Sequence, residues 1–578
     1  HPANTLSLHD ALPIYKNNIF GYLNEKSEIR KRNWIVMVLF ILLFCSLIWR
    51  ASSYMYFNSK SLKTMADAQY TIDEKYGPQY KLLDCNGADL LTYKKHFYAI
   101  IDPVDYLRFN EYTSKYDLET LTITLRNYNK TDDLEKIKGT GNGEKLRYEI
   151  DEVTYEKLKD IKKVKGFYIY CSTDVVNDGY WKIENVLTST TYNKVTVNSE
   201  TKKVVSKTVS KGADSLEMQI YDKTKENEYT KIRLSKGVNG EISAGTTIKP
   251  KNNINVRLTI DKQIQGKVED ILKKEKYNKI GVVLMESSSG KIRAMAQKDD
   301  NEYNVNLGYP STNGALPGSI FKVIVDEAGI DMNKINDNQE FTLKPNIFPN
   351  EPFKGNIFTV AQALTKSSNN IFAQIGWQVG VKNIYNYAQK QGMLSKVLNL
   401  QQEDIGSFQE DISNPTYAQT SQTAIGQNVT ITPLEALSIP NTIINDGVYV
   451  KPNIIDSYVN DKNEILEKTV PKTTTVLKRE TAEAVKRHMI AVVNKGTGDA
   501  AYIEGMAIGG KTGTTTYANG KKSDGWFVGF FNINGKNYSM VVYVNDIKMN
   551  IAGIADEEGG GTAAPIFKEV VNSLKNIK

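Results

Sequence analysis

Apolar positions in this chain follow several distinct patterns. The first is a continuous run, Trp34 to Trp49, interrupted only by Ser46. Sixteen residues fall just short of the roughly 17–25 that a helix uses to cross a bilayer. Extension through Arg50 to Phe57 reaches that length if Arg50 snorkels to the interface. Lys26, Arg30, Lys31 and Arg32 precede the run and only Arg50 closely follows it, which predicts a cytoplasmic N-terminus with everything beyond residue 57 outside. No small-x-small cleavage pattern follows, so an uncleaved anchor is expected rather than a signal peptide. Residues 1–14 resemble translated adaptor sequence and are set aside; 15–33 would be a cytoplasmic tail, 34–57 the anchor, 58–250 an extracytoplasmic pedestal or dimerisation-like region, and 251–578 a second, larger domain.

Beyond the anchor, period-2 alternation predicts strands over Lys203–Val209, Leu216–Tyr221 and Tyr229–Leu234. Helices are predicted near Ser61–Ile72 and Thr154–Lys165. Gly240–Asn255, with Gly245 and Pro250, reads as a linker. A helix over Lys262–Lys274 and a hairpin of Ile280–Glu286 with Lys291–Ala296 follow. Gln401–Ser421 reads as a surface loop. Ala507–Thr514, Trp526–Ile533 and Tyr538–Val544 alternate as three strands, the last two joined at Asn534-Gly535, a strong two-residue hairpin signal. Ile566, Phe567, Val570, Val571 and Leu574 mark one face of a closing helix.

With 24% charged and 40% hydrophobic residues, the chain is balanced as a globular protein, not a disordered one. Its net charge of +7 is spread among acidic residues without a basic, aromatic-interleaved block, so nucleic acid is not an expected partner. Cys85 and Cys171 would both be outside, where a disulfide is allowed; the sequence leaves their pairing open. There are four histidines, of which His1 and His9 fall in the excluded segment. His488, in a predicted helix over Glu480–Val493, reads as a surface residue. This shortage disfavours a Ser-His-Asp hydrolase, and without His-Glu-x-x-His no catalytic metal or cofactor is expected.

The candidate chemistry lies in Leu316-Pro317-Gly318-Ser319-Ile320-Phe321-Lys322. Pro317-Gly318 predicts a turn, and the apolar run from Ile320 to Val325 a buried helix start. Helical spacing puts Ser319 and Lys322 on one face. A serine hydroxyl needs a base to act as a nucleophile, and a desolvated lysine can supply one. Ser-x-x-Lys also occurs at Ser199 and Ser288, so the spacing alone is weak. Ser367-Ser368-Asn369 and the unique Lys511-Thr512-Gly513 single out Ser319, because Ser-x-x-Lys, Ser-x-Asn and Lys-Thr-Gly in that order mark penicillin-binding proteins and serine β-lactamases.

Flanking stretches extend the match: Val256–Asp261, Ala424-Ile425-Gly426-Gln427 through Thr432–Ala436, Asp524–Phe530 and Ala563–Phe567. Residues 254–578 resemble the transpeptidase domain of penicillin-binding proteins. The resemblance implies an α+β fold, an antiparallel sheet with helices. No glycosyltransferase constellation is visible upstream, pointing to a monofunctional, class B-like member. Lys81–Gly87 lacks both arginines of the family's usual opening motif. Asn428 replaces the second Gly of Gly-Gln-Gly, which a left-handed backbone at Asn would tolerate.

By resemblance, Ser319 carries the acyl group, Lys322 takes its proton and Ser367 relays a proton to the leaving amine. Asn369 holds the substrate amide, Lys511, Thr512 and Thr514 meet its carboxylate, and Gly513 permits close approach. The N–H groups of Ser319 and Thr514 would form an oxyanion hole, a device giving about 3–4 kcal/mol per donor in other acyl-transfer enzymes. The implied function is peptidoglycan D,D-transpeptidation, inhibited covalently by β-lactams. The implied partners are stem peptides, membrane lipid and a glycosyltransferase of the cell-wall machinery. A β-lactamase or carboxypeptidase on the same fold, and a non-enzymatic sensor or scaffold, stay open as alternatives.

Overall fold

The computed structural model describes residues 12–53, 71–128, 144–197, 204–243, 245–308, 314–349, 351, 353, 355–408, 412–517, 522–548, 559–575 and 577. The N-terminal apolar run lies in a long helix, α1 (Leu12–Ser52), whose Arg30–Ser52 portion spans 23 residues at a mean hydropathy of 2.3. It is long and apolar enough for a single-pass anchor. Positions 54–57 of the expected anchor lie outside the described residues.

The chain divides into two compact units. One comprises residues up to Lys75 with His96–Cys171 and Lys231–Ile248. In it Thr71–Lys75, Lys231–Ser235 and Thr246–Ile248 make a three-stranded antiparallel sheet. The predicted helix over Ser61–Ile72 lies mostly outside the described residues, and its end, Ile72, is in a strand. The helix expected over Thr154–Lys165 is shorter, Glu152–Leu158: Asp151 caps it by accepting from Thr154 N at 2.7 Å, and the chain leaves it at Lys159. The expected linker holds the short strand Thr246–Ile248 and the start of the strand Asn255–Leu258.

The other unit comprises Tyr76–Lys95, Ser172–Thr230 and Lys249–Lys578. Leu82–Leu83 pairs in parallel with Val256–Arg257, so Lys81–Gly87 is built into this unit. Next comes α2 (Leu216–Thr224), where alternation predicted a strand. Ser215 is its N-cap, and Glu217, at 1% exposure, points inward to a buried Lys211 at 2.9 Å. A buried charge took the position that alternation assigned to a polar outer face.

The sheet follows from α3 (Lys262–Lys274), β1 (Lys279–Glu286), β2 (Lys291–Gln297), β3 (Gly509–Tyr517), β4 (Lys522–Ile533) and β5 (Lys536–Lys548), in the antiparallel order β2-β1-β5-β4-β3. Asp261 caps α3 through the N–H groups of Gln263 and Ile264. Asn534 and Gly535, at φ +53° and +78°, join β4 to β5 with Ile533 opposite Lys536, as a type I′ hairpin requires.

Both faces of the sheet are buried. Ile280, Val282, Leu284, Phe527 and Phe531 pack with α3 and the closing helix α7 (Gly559–Leu574). Val283, Met285, Trp526, Val528 and Phe530 face a second core, which includes α4 (Lys322–Asp331), α5 (Asn369–Val379) and α6 (Arg479–Lys495). Alternation along these strands therefore separates two cores, not core from water. Gln401–Ser421 is not a plain loop: it holds the strand Ser407–Phe408 and the first turn of a helix, Tyr417–Ala424. Cys85 and Cys171 are both thiols.

Lys211 Nζ also donates to Val186 O at 2.7 Å, while Glu217 accepts from Gln401 N, so this buried pair ties Ser172–Thr230 to the loop near residue 400. Removing one partner strands the other's charge. Lys211→Met is expected to lower the stability of the full chain by about 3–5 kcal/mol in denaturant unfolding, with partial recovery in Lys211→Met/Glu217→Leu.

Candidate active site

Three segments far apart in sequence meet through their backbones. Gly318 (φ +54°) opens the 3-10 turn Gly318–Phe321 that leads into α4, and its N–H donates to Gly426 O at 3.1 Å. A Cβ on Gly426 would lie 2.1 Å from Gly318 O, and one on Gly513 would lie 2.6 Å from Pro317 O. No side chain fits at either contact. Trp526 Nε1 donates to Leu316 O at 3.1 Å and secures the turn from the sheet. The left-handed residue of the 424–428 segment is Gly426 (φ +78°); Asn428 does not adopt that conformation, so its presence needs no such tolerance.

Around Lys322, the first residue of α4, the side chains of Ile320, Phe321, Val323, Ile324 and Val325 are all fully buried, as is Lys322 itself. Ser319, one turn earlier, is half-buried. Lys322 Nζ donates to Ser367 O at 2.5 Å, Asn369 Oδ1 at 2.6 Å and Ser367 Oγ at 3.3 Å. From the sheet, Lys511 Nζ donates to Ser367 Oγ at 3.1 Å, Thr512 O at 3.0 Å and Thr512 Oγ1 at 3.4 Å. Ser367 Oγ thus accepts from both lysines. Burial, then the positive charge of Lys511, hold Lys322 well below the usual lysine range, against a smaller opposing pull from Glu351. Ser319, Lys322, Ser367, Asn369, Lys511, Thr512, Gly513 and Thr514 are brought to one place: a Cβ on Gly318 would touch Thr514 O at 2.8 Å.

Sequence reasoning missed Glu351. Ser367 sits at φ +60°, ending the helix Val360–Lys366, and Ser368 caps α5. Glu351 Oε2 accepts from Ser368 Oγ at 2.6 Å, while Oε1 accepts the N–H groups of Asn369 and Asn370. The carboxylate sits at the N-terminus of α5, where the helix dipole favours it, and holds the Ser-Ser-Asn turn in place. No local motif announces a glutamate that acts on a segment sixteen or more residues later.

His488 is not a surface residue. It is 2% exposed on α6, with Nδ1 2.7 Å from Asp326 Oδ2 and Nε2 2.5 Å from Asp337 Oδ1; Arg487 also reaches Asp337, at 2.7 Å. Asp326 is fully buried on α4, one turn beyond Lys322. Burial alone would lower the imidazole, but Asp326 and Asp337 outweigh it and push His488 up to about 9. Its two nitrogens are both committed to carboxylates, so it serves as a buried cation tying α6 to α4. The available signal was Asp326 itself, an acid that directly follows the apolar run Val323–Val325.

A folded pKa of about 9 against an ordinary 6.5 means that the stabilisation is fully present below about pH 6.5 and is lost as pH rises through about 9. The stability difference between wild type and His488→Gln should therefore shrink between those pH values, by up to about 3 kcal/mol, in unfolding curves taken across pH 6–10. A difference independent of pH would contradict the buried imidazolium.

Residues 280–572 match the family described as penicillin binding protein transpeptidase domain. Stage V sporulation protein D of Bacillus subtilis is 24% identical over 94% of this chain and 85% of its own length. Peptidoglycan D,D-transpeptidase PbpA of Mycobacterium tuberculosis is 25% identical over 55% of this chain and 72% of its own. Among solved structures, a peptidoglycan synthetase from Bifidobacterium adolescentis superposes with a TM-score of 0.60 at 18% identity, over 87% of this chain and 96% of that one. The match of the domain, the shared fold and the convergence of the three motif segments agree: this chain belongs to the penicillin-binding protein transpeptidase family.

Proposed function

We propose that the chain is a membrane-anchored peptidoglycan D,D-transpeptidase that works through an acyl-enzyme on Ser319. The observation that carries this is a desolvated Lys322, one helical turn from Ser319, sharing the Ser367 hydroxyl with a second buried amine, Lys511. A relative named as a D,D-transpeptidase supports the reaction class.

Neutral Lys322 accepts the Ser319 proton as Oγ attacks the carbonyl between the two terminal D-alanines of a stem peptide. The developing oxyanion takes hydrogen bonds from the N–H groups of Ser319 and Thr514. Ser367 Oγ, accepting from both lysines, keeps its own O–H free to donate: it passes that proton to the departing D-alanine nitrogen and is reprotonated by Lys322 with the proton taken from Ser319. The C–N bond breaks, the D-alanine leaves and the acyl group stays on Ser319. An acceptor amine then attacks this ester; the C–O bond to Ser319 breaks, the amine's proton passes through the same groups to Ser319 Oγ, and the new amide is the cross-link. Asn369 holds the stem-peptide amide. Thr512, Thr514 and the charge of Lys511 meet the terminal carboxylate, and Gly513 keeps this edge of the strand uncrowded. A β-lactam, as a mimic of D-Ala-D-Ala, acylates the same oxygen.

The helix Arg30–Ser52 would anchor the chain with Lys26, Arg30, Lys31 and Arg32 on the cytoplasmic side and the catalytic domain, 251–578, outside. Residues 58–250 would then serve as a pedestal and docking region for a cell-wall glycosyltransferase.

Fluorescent penicillin should label the protein covalently. Ser319→Ala should abolish labelling, and Lys322→Ala should slow acylation about 10²–10⁴-fold, the range for loss of a general base. Persistent labelling of Ser319→Ala would defeat the assignment. Incubation with a stem peptide and an amine acceptor, with products separated by mass, should yield the cross-linked peptide; hydrolysed peptide alone would point to a carboxypeptidase.

A further inference from the structure

The hydroxyl of Thr512 on β3 is held by a residue that belongs to none of the three motifs. The chain leaves α6 through Gly496-Thr497-Gly498, where the N–H groups of Gly496 and Gly498 both donate to Val492 O at 3.1 Å. Thr497 N donates to Thr365 O at 3.2 Å, two residues before Ser367. A Cβ on Gly496 would lie 2.4 Å from that same oxygen, and one on Gly560 of α7 would lie 2.7 Å from Thr497 O. The backbone of Thr497 is therefore clamped between the helix that ends at Ser367 and the closing helix.

Its side chain reaches the strand. Thr497 Oγ1 is 2.8 Å from Thr512 Oγ1. Thr512 is 6% exposed, whereas Thr497 is open to solvent. Thr512 Oγ1 also accepts from Lys511 Nζ at 3.4 Å. A threonine oxygen offers two lone pairs and one proton. When Thr497 donates to one lone pair and Lys511 to the other, the Thr512 proton has no acceptor among the described residues and is left for a ligand. In the reverse orientation Thr512 spends its proton on Thr497 Oγ1. An anion beside Lys511 selects the first arrangement, because only there does the Thr512 hydroxyl donate to it.

We propose that Thr497 is a positioning residue for the reaction: it fixes the Thr512 hydroxyl so that its proton is offered to the terminal carboxylate of the stem peptide or of a β-lactam. This rests on the transpeptidase reading, in which Thr512 meets that carboxylate. Thr497 acts through Thr512, so its removal weakens recognition of the carboxylate and leaves the chemistry at Ser319 intact.

The test compares benzylpenicillin with its methyl ester, which keeps the lactam and lacks the carboxylate. Acylation rates of the full chain are read by intact mass, the ester being used at the concentration at which adduct accumulates. Wild type should react faster with the free acid. Thr497→Val keeps the shape and every backbone contact but not the hydroxyl. It should slow acylation by the free acid about tenfold, the loss of roughly one hydrogen bond to a charged group, and leave the ester rate unchanged. Thr497→Ser, which retains the hydroxyl, should restore the rate with the free acid. Equal losses on acid and ester would mark Thr497 as a merely structural residue and overturn the proposal. So would a Thr497→Val variant that matches wild type on the free acid, or a wild type that does not distinguish acid from ester. A wild type that forms no adduct with benzylpenicillin would instead defeat the transpeptidase reading itself.

Discussion

One helix carries three ionisable side chains into an apolar core, and the rest of the site depends on how each is accommodated. Lys322, Asp326 and Glu327 are all fully buried on α4. A bare charge there costs several kcal/mol, so each must lose its charge or find a partner. Asp326 is matched by the His488 imidazolium. Glu327 accepts from Gln391 Nε2, and burial raises its pKa well above the usual carboxylate range, favouring its neutral form. Lys322 meets acceptors on the Ser367–Asn369 turn, while burial and Lys511 make the proton easy to lose. The same apolar wrap that packs the domain thus makes the Lys322 proton easier to lose, one helical turn from Ser319.

Burial alone would not place that amine. Position comes from backbone contacts where Gly318, Gly426 and Gly513 let three segments touch, and from Glu351, which pins the turn bearing Ser367 and Asn369. Side-chain chemistry is delivered by strands and helices, but the tolerances are set by main chain against main chain. This suits a reaction in which misplacement by about 1 Å can cost 10²-fold in rate.

Much of this was legible in the sequence where the signal is local. The Asp261-capped helix Lys262–Lys274, the β1-β2 hairpin and the Asn534-Gly535 turn follow from periodicity and turn chemistry, and the ordered triple of motifs pointed to three segments that converge. Failures came where a distant group decided the outcome. Leu216–Tyr221 alternates like a strand, but Ser215 caps it as a helix and Glu217 turns inward to Lys211. His488 looked solvated because its partners, Asp326 and Asp337, are about 150 and more positions away. Glu351 has no local signature at all. Ion pairs inside a core are tertiary facts, and hydrophobic patterning does not register them.

The interlocked glycines carry an evolutionary consequence. Where main chains touch with no room for a β-carbon, the cleft has no adjustable part. A lineage under pressure from an acylating drug cannot narrow its pocket by enlarging residues 426 or 513 without prising the turn that bears Ser319 from its sheet. Escape has to be assembled from neighbouring positions, several small shifts at a time, which makes it a slow and cumulative route.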